Sequence, residues 1–552
     1  MLDFLILSCA GQLSPSGGPP DTTPPEVAES SPAPNSLNFG SRKISIKFSE
    51  YVDRSSVEQS IFLSPPVGGM SFDWGGTDVE ITFSDTLRPN TTYILTLGTD
   101  IVDRRNHNRM AQAFALPFST GSKIDSARIS GRVFASQPTG IMIFAFKLND
   151  RISDTLNPVH SRPDYITQTG KDGSYKLTNI AYGSYRLIAV RDEYKNLLYD
   201  KQTDEFGINT RDVQVAADTP AAAGMYCRMS KEDTTRPFLS SARGLDRSHI
   251  VLRFSEPFDT SQVNARSISV VDTLKRSALP VLDVSPIEGF AADAQISTAL
   301  QESSRTYLVT ASGIRDLQGN LISSQAQTSL FTSAQALDTT KPDLQLLGIQ
   351  DSAKNVQADD SIRFSFGEGV QRSLFEHGCT LLTTDGVQVQ GKFIWRGSTS
   401  VFFIPLDPLR WAKWYTLRVV MDSVRDFAGN GYRDSIWVRH FRMIEDKVLG
   451  SISGVVRNES ETSGATHITV SEILSKNSRS RTVIAGPGGN FSFNFLPEGR
   501  YTLFAFCDSD SNGVYSYGKP YPFMFAEPFS ILPDTLKVRA RWPLDGVVIR
   551  IP

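Results

Sequence analysis

The sequence contains few cysteines and histidines for its length. Its 552 residues include four cysteines, at positions 9, 227, 379 and 507, and six histidines, all widely separated. No Cys-x-x-Cys pair or Cys/His group has the spacing of a metal site, so no zinc centre is predicted. If Cys9 is modified, three cysteines remain, and an odd number argues against a disulfide framework. We expect the other three to be isolated buried thiols in separate domains.

Sequence motifs that carry catalysis are also missing. The chain has no Gly-x-Ser-x-Gly, no His-Glu-x-x-His and no phosphate-binding loop. The glycine-rich Gly486-Pro-Gly-Gly489 precedes an alternating strand pattern instead of a helix, which predicts a hairpin turn. We therefore predict a protein that is not an enzyme and that uses no organic cofactor.

Charge of one sign and long apolar runs are scarce as well. Lysine and arginine total 56, aspartate and glutamate total 59, and the net charge is -3, so the basic excess of a nucleic-acid binder is missing. Hydrophobic residues make up 40% of the chain, with 40 glycines and 30 prolines, which favours short strands and turns. A chain of this length exceeds one hydrophobic core, so we predict several all-β domains and no nucleic-acid partner.

One motif occurs three times, at Asp21-Thr-Thr-Pro-Pro25, Asp233-Thr-Thr-Arg-Pro237 and Asp338-Thr-Thr-Lys-Pro342. The second and third copies begin 105 residues apart, and the first and second begin about twice that distance apart. After each copy come an alternating strand, a second strand with a tyrosine at 93, 307 or 415, and an Asp/Asn-rich turn. We call this pattern a type A unit.

The alternating strand ends on a glutamate in the first two copies, at Phe48-Ser-Glu50 and Phe254-Ser-Glu256. In the third copy we align Phe364-Ser-Phe366 with this motif, which displaces Glu368 by an insertion. The three glutamates belong to separate units, whereas a glycosidase needs two carboxylates across one cleft. We interpret them as structural, with a hydrogen bond to backbone at the strand end.

A second pattern, which we call type B, occurs once after the first type A unit and once after the third. Ile129-Ser-Gly-Arg-Val133 precedes Gly173-Ser-Tyr175 and Gly183-Ser-Tyr185, and Ile452-Ser-Gly-Val-Val456 precedes Gly489-Asn-Phe491 and Gly499-Arg-Tyr501. The order A-B-A-A-B predicts a tandem array of five β-sandwich domains, over residues 21–122, 123–232, 233–336, 337–447 and 448–552, after a leader and tether at 1–20. Five such domains in line would extend on the order of 170 Å.

These motifs resemble known families. The type A units resemble SbsA-type bacterial Ig-like domains, and the type B units resemble carboxypeptidase-regulatory-like or prealbumin-like sandwiches. The opening from Cys9 through Gly17-Gly-Pro-Pro-Asp-Thr-Thr-Pro-Pro25 is similar to Ig-like-domain lipoproteins of the Bacteroidota. The resemblance covers nearly the whole chain and implies an outer-membrane lipoprotein.

The N-terminal Ile6-Leu-Ser-Cys9 resembles a lipobox. The apolar run before Cys9 is far too short to span a membrane, and residues 14–25 have the Pro/Gly/Ser/Thr content of a flexible tether. We predict a signal and lipidation at Cys9; the alternative is an ordinary N-terminal strand. No acidic stretch follows Cys9, which favours the periplasmic face of the outer membrane over the cell surface.

A candidate metal loop lies near the C-terminal end, where Asp508, Asp510 and Asn512 alternate before Gly513. Oxygen ligands at alternate positions, with the carbonyl of Val514, are typical of the first half of an EF-hand calcium loop. Lys519 stands where the bidentate glutamate belongs, so a more distant acid such as Glu527 has to help. The alternative to a structural calcium ion is an Asx-rich turn.

Aromatic residues supply two further candidates. The segment after the metal loop is predicted to form an interface with a protein partner through its aromatic residues, Tyr515, Tyr517, Tyr521, Phe523 and Phe525. The alternative is a loop folded over its own sandwich. Trp411 and Trp414 could stack on a glycan, although such residues more often fill a sandwich core. We predict a structural scaffold or protein-interaction lipoprotein with an outer-membrane or envelope partner; the alternative is a surface adhesin or glycan-binding protein.

Overall fold

The computed structural model describes residues 21–148, 155–261, 263–357, 361–460, 462–473 and 480–552. These residues form ten β-sheets, which group along the chain into five successive pairs. We call the pairs the first to fifth units, with strands over residues 27–119, 127–231, 239–332, 344–443 and 449–551. The predicted all-β class, with several sandwiches in tandem, is confirmed.

The first, third and fourth units each pair a four-stranded sheet with a second sheet of three or four strands. In the first unit the sheets are β1-β2-β5-β4 and β3-β6-β7, with strands β1 (Val27–Ser31), β2 (Lys43–Phe48), β3 (Ile61–Ser64), β4 (Met70–Gly75), β5 (Asp78–Phe83), β6 (Thr92–Leu97) and β7 (Phe114–Ser119). Helix α1 (Arg54–Gln59) precedes β3.

The third unit contains β17 (Leu239–Gly244), β18 (His249–Phe254), β19 (Ile268–Asp272), β20 (Ala278–Leu279), β21 (Val281–Ile287), β22 (Phe290–Thr298), β23 (Thr306–Ala311) and β24 (Thr328–Thr332). The fourth contains β25 (Leu344–Leu347), β26 (Ala353–Val356), β27 (Ile362–Phe366), helix α2 (Arg372–Gly378), β28 (Cys379–Thr383), β29 (Gly391–Arg396), β30 (Ser400–Pro405), β31 (Trp414–Val420) and β32 (Ile436–Met443). Their sheets are β17-β18-β22-β21 with β20-β19-β23-β24, and β25-β27-β30-β29 with β26-β32-β31-β28.

The second and fifth units share a different topology, in which the smaller sheet contains a parallel pair. The second contains β8 (Ala127–Phe134), β9 (Met142–Leu148), β10 (Tyr165–Gln168), β11 (Ser174–Ile180), β12 (Gly183–Arg191), β13 (Glu205–Ile208), β14 (Val213–Val215), β15 (Ala221–Arg228) and β16 (Ser230–Lys231). Its sheets are β10-β9-β12-β13-β16, with β14 also on β12, and β11-β8-β15.

The fifth unit contains β33 (Leu449–Asn458), β34 (Ala465–Glu472), β35 (Ser480–Ile484), β36 (Asn490–Pro497), β37 (Gly499–Asp508), β38 (Phe529–Ile531), β39 (Leu536–Val538) and β40 (Pro543–Ile551). Its sheets are β35-β34-β37-β38, with β39 also on β37, and β36-β33-β40. Short 3-10 helices lie at Ala265–Ser267, Met421–Ser423, Asp446–Val448 and Pro487–Gly489.

Each unit has its own apolar core between its two sheets, built by alternating strands. In β2, Ile44, Ile46 and Phe48 are at most 1% exposed, while Lys43 and Lys47 face solvent. Fully burying such a side chain contributes about 1.5–3 kcal/mol. The cysteines at 227, 379 and 507 are free and lie buried in separate units.

The type A tyrosines fix a corner of each sandwich. Their phenol oxygens accept a backbone N–H from the residue five positions earlier, in Arg88–Tyr93 (2.8 Å), Glu302–Tyr307 (2.9 Å) and Arg410–Tyr415 (2.8 Å). A tyrosine hydroxyl bonded back to nearby backbone is a corner device of Ig-like sandwiches. The repeated tyrosine therefore marks equivalent positions in three units.

Strand pairing corrects our alignment of the third type A copy. Val27 pairs with Phe48, Leu239 with Phe254, and Leu344 with Phe366. Phe366 is thus the equivalent residue, Gly367 replaces the serine, and Glu368 follows directly. The expected insertion before Glu368 is wrong. Phe364-Ser365 has the same two residues as the motif, but it lies two residues, one strand period, before the equivalent Phe366.

The larger sheet of the second unit is buried on both faces, unlike β2. One face packs into the sandwich core, and the other forms a separate apolar cluster with Met142, Phe144, Phe146 and Ile188. Residues from two other units complete this cluster, namely Phe62 from the first unit and Tyr515, Tyr517, Phe523 and Ala526 from the fifth. The second unit therefore contacts both its neighbour and the last unit of the chain.

This contact folds the array back on itself. The third and fourth units connect the second to the fifth in sequence, so the contact between the second and fifth closes a loop. A straight row of five sandwiches, which would leave the fifth at a free end, is not the arrangement of the described residues. The physical reason is the hydrophobic effect. The outer apolar face of the second unit's larger sheet is removed from water only when another unit packs against it.

Polar contacts join the third unit to the fourth, and an aromatic contact joins the fourth to the fifth. Between the third and fourth, Ser398 donates its backbone N–H to Ser285 Oγ at 2.7 Å, and Arg363 pairs with Glu288 at 2.6 Å. Between the fourth and fifth, the ring of Trp411 lies 4.6 Å from that of Phe495. No helix in the described part of the chain is long and apolar enough to cross a membrane.

Candidate functional site

The candidate metal loop runs from the end of β37 to the start of β38. Asp508 and Glu527 stand at its two ends and are 4% and 3% exposed, while Asp510 is exposed between them. One carboxylate oxygen from each of the three lies within 4.8 Å of the others. The structure thus brings Glu527, the distant acid that sequence reasoning required, to the predicted Asp508 and Asp510.

Carboxylates of this loop accept hydrogen bonds from backbone N–H groups of the loop itself. Asp508 accepts hydrogen bonds from the backbone of Asn512 (3.1 Å) and Gly513 (2.9 Å), and Glu527 accepts from Ser509 (2.7 Å) and Ser516 (3.0 Å). Burial raises the pKa of Asp508, but these hydrogen bonds outweigh it and the pKa falls below its usual value. The loop is therefore a well-bonded Asx turn in its own right.

The remaining predicted ligands have local partners. The Asn512 amide bridges to Asp510 Oδ2 at 2.8 Å, and its Oδ1 accepts the N–H of Val514 at 2.7 Å. The Val514 side chain is 64% exposed. Asp508, Asp510 and Glu527 are thus brought together, and calcium binding itself stays a prediction.

We expect Asp508→Ala to lower the free energy of unfolding of the fifth unit by about 1–3 kcal/mol, because the backbone N–H groups of Asn512 and Gly513 lose a charged, buried acceptor. Asp510→Ala is the matched control, since its carboxylate is exposed, and its effect should be smaller. Urea unfolding in EDTA, followed by circular dichroism, measures both. Equal losses in the two variants would contradict the importance of the buried acceptor.

The aromatic segment after this loop lies against the second unit. The Arg186 guanidinium is 3.7 Å from the ring centre of Phe523, and that of Arg228 lies 5.1 Å from Tyr515 and 5.3 Å from Tyr517. Tyr515 also packs on the fifth unit's own Phe504, Phe506 and Phe529. Arg186 also lies 5.7 Å from the ring centre of Phe525, so four of the five predicted interface residues make a contact between units of the same chain.

Two of the predicted interface residues also retain free surface. Tyr521 is 45% exposed and Phe525 is 43% exposed, beside Met524 at 58%. Arg186 also holds Asp212 in a two-pronged ion pair at 2.9 and 2.7 Å, which fixes its guanidinium beneath Phe523. The segment has an inner edge that faces the second unit and an outer edge that is open to solvent.

We expect Phe523→Asp to detach the segment, because it removes an apolar contact and a cation–π interaction worth about 2 kcal/mol when desolvated. The uncovered face of the second unit should then bind the dye ANS, with higher fluorescence than the unaltered chain. Met524→Asp places the same charge on the neighbouring exposed residue and should leave ANS fluorescence unchanged. No difference between the two variants would argue against the contact.

Each type A unit gathers three acids from its three repeated motifs. One oxygen from each of Asp233, Glu256 and Asp316 lies within 4.8 Å of the others, and the same holds for Asp338, Glu368 and Asp426. In the first unit, burial and then the charges of Asp103 and Asp21 raise the pKa of Glu50. Sequence reasoning missed these clusters, although the recurrence of an acid in all three motifs was an available signal.

A repeated hydrogen bond closes each cluster. The amide of the turn asparagine donates to the carbonyl of the opening aspartate, in Asn108–Asp21 (2.9 Å), Asn320–Asp233 (3.0 Å) and Asn430–Asp338 (3.2 Å). The entry segment and the turn, about 90 residues later, are thereby clasped together. We call this arrangement the acidic clasp.

The glutamates do not make the strand-end bond that we expected of them. Ser49 and Ser255 accept the backbone N–H of Glu26 and Phe238 instead, both at 3.0 Å. Oε1 of Glu256 and of Glu368 is buried and has no hydrogen-bond partner among the described residues. The serine is better placed because its short side chain reaches the adjacent strand, whereas the glutamate turns into the cluster.

The two candidate glycan-stacking tryptophans do not share one open face. Trp411 packs against Phe495, and Trp414 is 37% exposed beside a groove of about 570 Å³ that Leu409 and Lys413 also line. The predicted lipidation site, Cys9, lies outside the described residues.

Comparison with known proteins finds a family match for two of the three type A units. Residues 21–120 and 338–441 match the bacterial Ig-like domain family. Because these segments include the first and fourth units, the predicted resemblance to bacterial Ig-like domains is confirmed there. No curated protein matches the chain.

Solved structures similar to the chain include the N-terminal part of the bacterial S-layer protein SbsC (13% identity, 38% of this chain and 44% of that one, TM-score 0.17). A second is the Bacillus anthracis TIE protein, with 8% identity over 97% of this chain and 76% of that one and a TM-score of 0.15. A third is BcpA, the major pilin subunit of Bacillus cereus, with 10% identity over 78% of this chain and 99% of that one and a TM-score of 0.13. The chain spans less than half of the SbsC fragment. With TM-scores of 0.17 and below, these likenesses support no conclusion about this chain.

Proposed function

We propose that this protein is a non-enzymatic lipoprotein of the cell envelope, anchored in the outer membrane by a lipid on Cys9. Its sandwiches act as a scaffold that holds an interaction surface for an outer-membrane or envelope protein. The observation that supports this most is the contact between the second and fifth units, which holds the sandwiches in a defined arrangement. A scaffold requires such fixed geometry, whereas freely jointed domains would not provide it.

The repeated acidic clasp supports a structural role for the acids. The same three positions recur in successive type A units, and each set joins the entry segment to a turn through a hydrogen bond. An arrangement that recurs in every type A unit serves the fold of each of them. We therefore assign these acids to stability of the units, and not to a reaction.

The open edge of the aromatic segment is the surface that we propose for the partner. Tyr521, Met524 and Phe525 are exposed together on a segment whose other edge is held by Arg186 and Phe523. Aromatic side chains and methionine are enriched at protein interfaces. Because the segment is fixed from below, its outer side chains lose little entropy on binding.

We expect Cys9→Ser to move the protein from the membrane fraction to the soluble fraction, because the lipid is the proposed anchor. Metabolic labelling with a fatty acid, followed by fractionation of the native host, measures attachment and location together. Ser8→Ala, which keeps the cysteine, is the matched control and should remain labelled and membrane-bound.

Crosslinking in native membranes then tests the scaffold role. A partner captured by the unaltered chain should be lost with Tyr521→Asp and kept with an exposed substitution elsewhere, such as Leu274→Asp. A chain with Cys9 intact that carries no lipid label and stays soluble would contradict the proposed lipid anchor. Equal capture of the partner by both variants would contradict the proposed binding surface.

A further inference from the structure

The junction between the third and fourth units contains a buried group of ionisable side chains. Asp246 and His249 come from the third unit, at the start of β18, and Asp338, Glu368 and Asp426 form the acidic clasp of the fourth. The His249 ring lies between the two sets, with Nδ1 3.0 Å from Asp246 and Nε2 3.9 Å from Glu368. This junction therefore combines a clasp with a histidine from the preceding unit.

These side chains are withdrawn from water. His249 is 2% exposed, Glu368 is 5% exposed and Asp426 is fully buried, while the Asp338 side chain is 1% exposed. Burying an ionised carboxylate is costly unless it is paired or coordinates a metal. Four carboxylates here face a single imidazole, so one protonated histidine would not balance them.

Three atoms in this group lack a hydrogen-bond partner among the described residues: Glu368 Oε1, Asp338 Oδ2 and His249 Nε2. Asp246 engages the opposite ring nitrogen of His249. A carboxylate on one ring nitrogen fixes the ring and leaves the other nitrogen directed at a ligand, which is the usual environment of a metal-bound histidine. The unpartnered atoms all belong to side chains that are at least nine-tenths buried.

The carboxylates of this group also act on one another electrostatically. Burial, and then the charges of Asp338 and Asp426, raise the pKa of Glu368 to about 7. The nearby His249 opposes this rise but does not cancel it. A bound cation would stabilise the ionised carboxylates at neutral pH.

We propose that this junction is a binding site for one divalent metal cation, with carboxylate oxygens from Asp338, Glu368 and Asp426 and Nε2 of His249 as ligands. The cation joins the third unit to the fourth, because His249 belongs to one and the carboxylates to the other. Calcium suits the oxygens alone, whereas manganese also accepts the imidazole.

The other acidic clasps provide an internal comparison. Asp233, Glu256 and Asp316 converge in the same way, but Asp233 and Glu256 are only half-buried. None of the described histidines lies within ion-pair distance of that cluster. The junction with His249 is thus the most enclosed of the clasps and the one with a nitrogen ligand in reach.

The test measures metal binding to the full chain after removal of metal with EDTA, by calorimetric titration with calcium chloride and, separately, with manganese chloride up to about 1 mM, where weak extracellular calcium sites bind. We expect Glu368→Gln to bind one ion fewer than the unaltered chain. Glu288→Gln, which removes an ion pair across the same junction, is the matched control and should bind the full number.

The histidine ligand is tested by His249→Ala, which should weaken manganese binding about tenfold or more and calcium binding less. Circular dichroism confirms folding of each variant, and Asp338→Asn, which keeps the acceptor for Thr340, is the second variant if Glu368→Gln fails to fold. An unaltered chain that binds neither ion at about 1 mM, or a Glu368→Gln chain with undiminished stoichiometry, overturns the proposal.

Discussion

The apolar outer face of the second unit is the constraint on which the arrangement of the chain depends. Most sandwiches here bury one face of each sheet, but β9 and β12 carry large apolar side chains on both. An uncovered face of this size would be an aggregation or binding surface. Phe62 and the aromatic segment of the fifth unit cover it. The second to fifth units therefore form a closed loop instead of a straight row.

Within the units, the acidic clasp explains why three separate motifs recur together. An entry aspartate, a strand-end glutamate and a turn aspartate meet in space, and an asparagine amide ties the first to the last. In the fourth unit the same clasp is enclosed by His249 of the third. One local device thus closes each sandwich and, at one junction, also places acids from two units together.

The sequence predicted what local periodicity determines. The alternation of Lys43 to Phe48 identified a half-buried strand, and the spacing of Asp508 and Asp510 identified a turn of converging oxygens. It misplaced the register of Glu368, because the one Phe-Ser pair of this strand, Phe364-Ser365, precedes the equivalent Phe366-Gly367 by two residues. The continuous apolar run from Ile141 to Phe146 signals a strand buried on both faces, but nothing local shows that its cover lies almost 400 residues away.

Small-angle X-ray scattering of the intact chain tests directly whether the fifth unit returns to the second. The closed loop predicts a maximum dimension well below the roughly 170 Å of five sandwiches in line. A maximum dimension near that value, at low concentration and without aggregation, would contradict it.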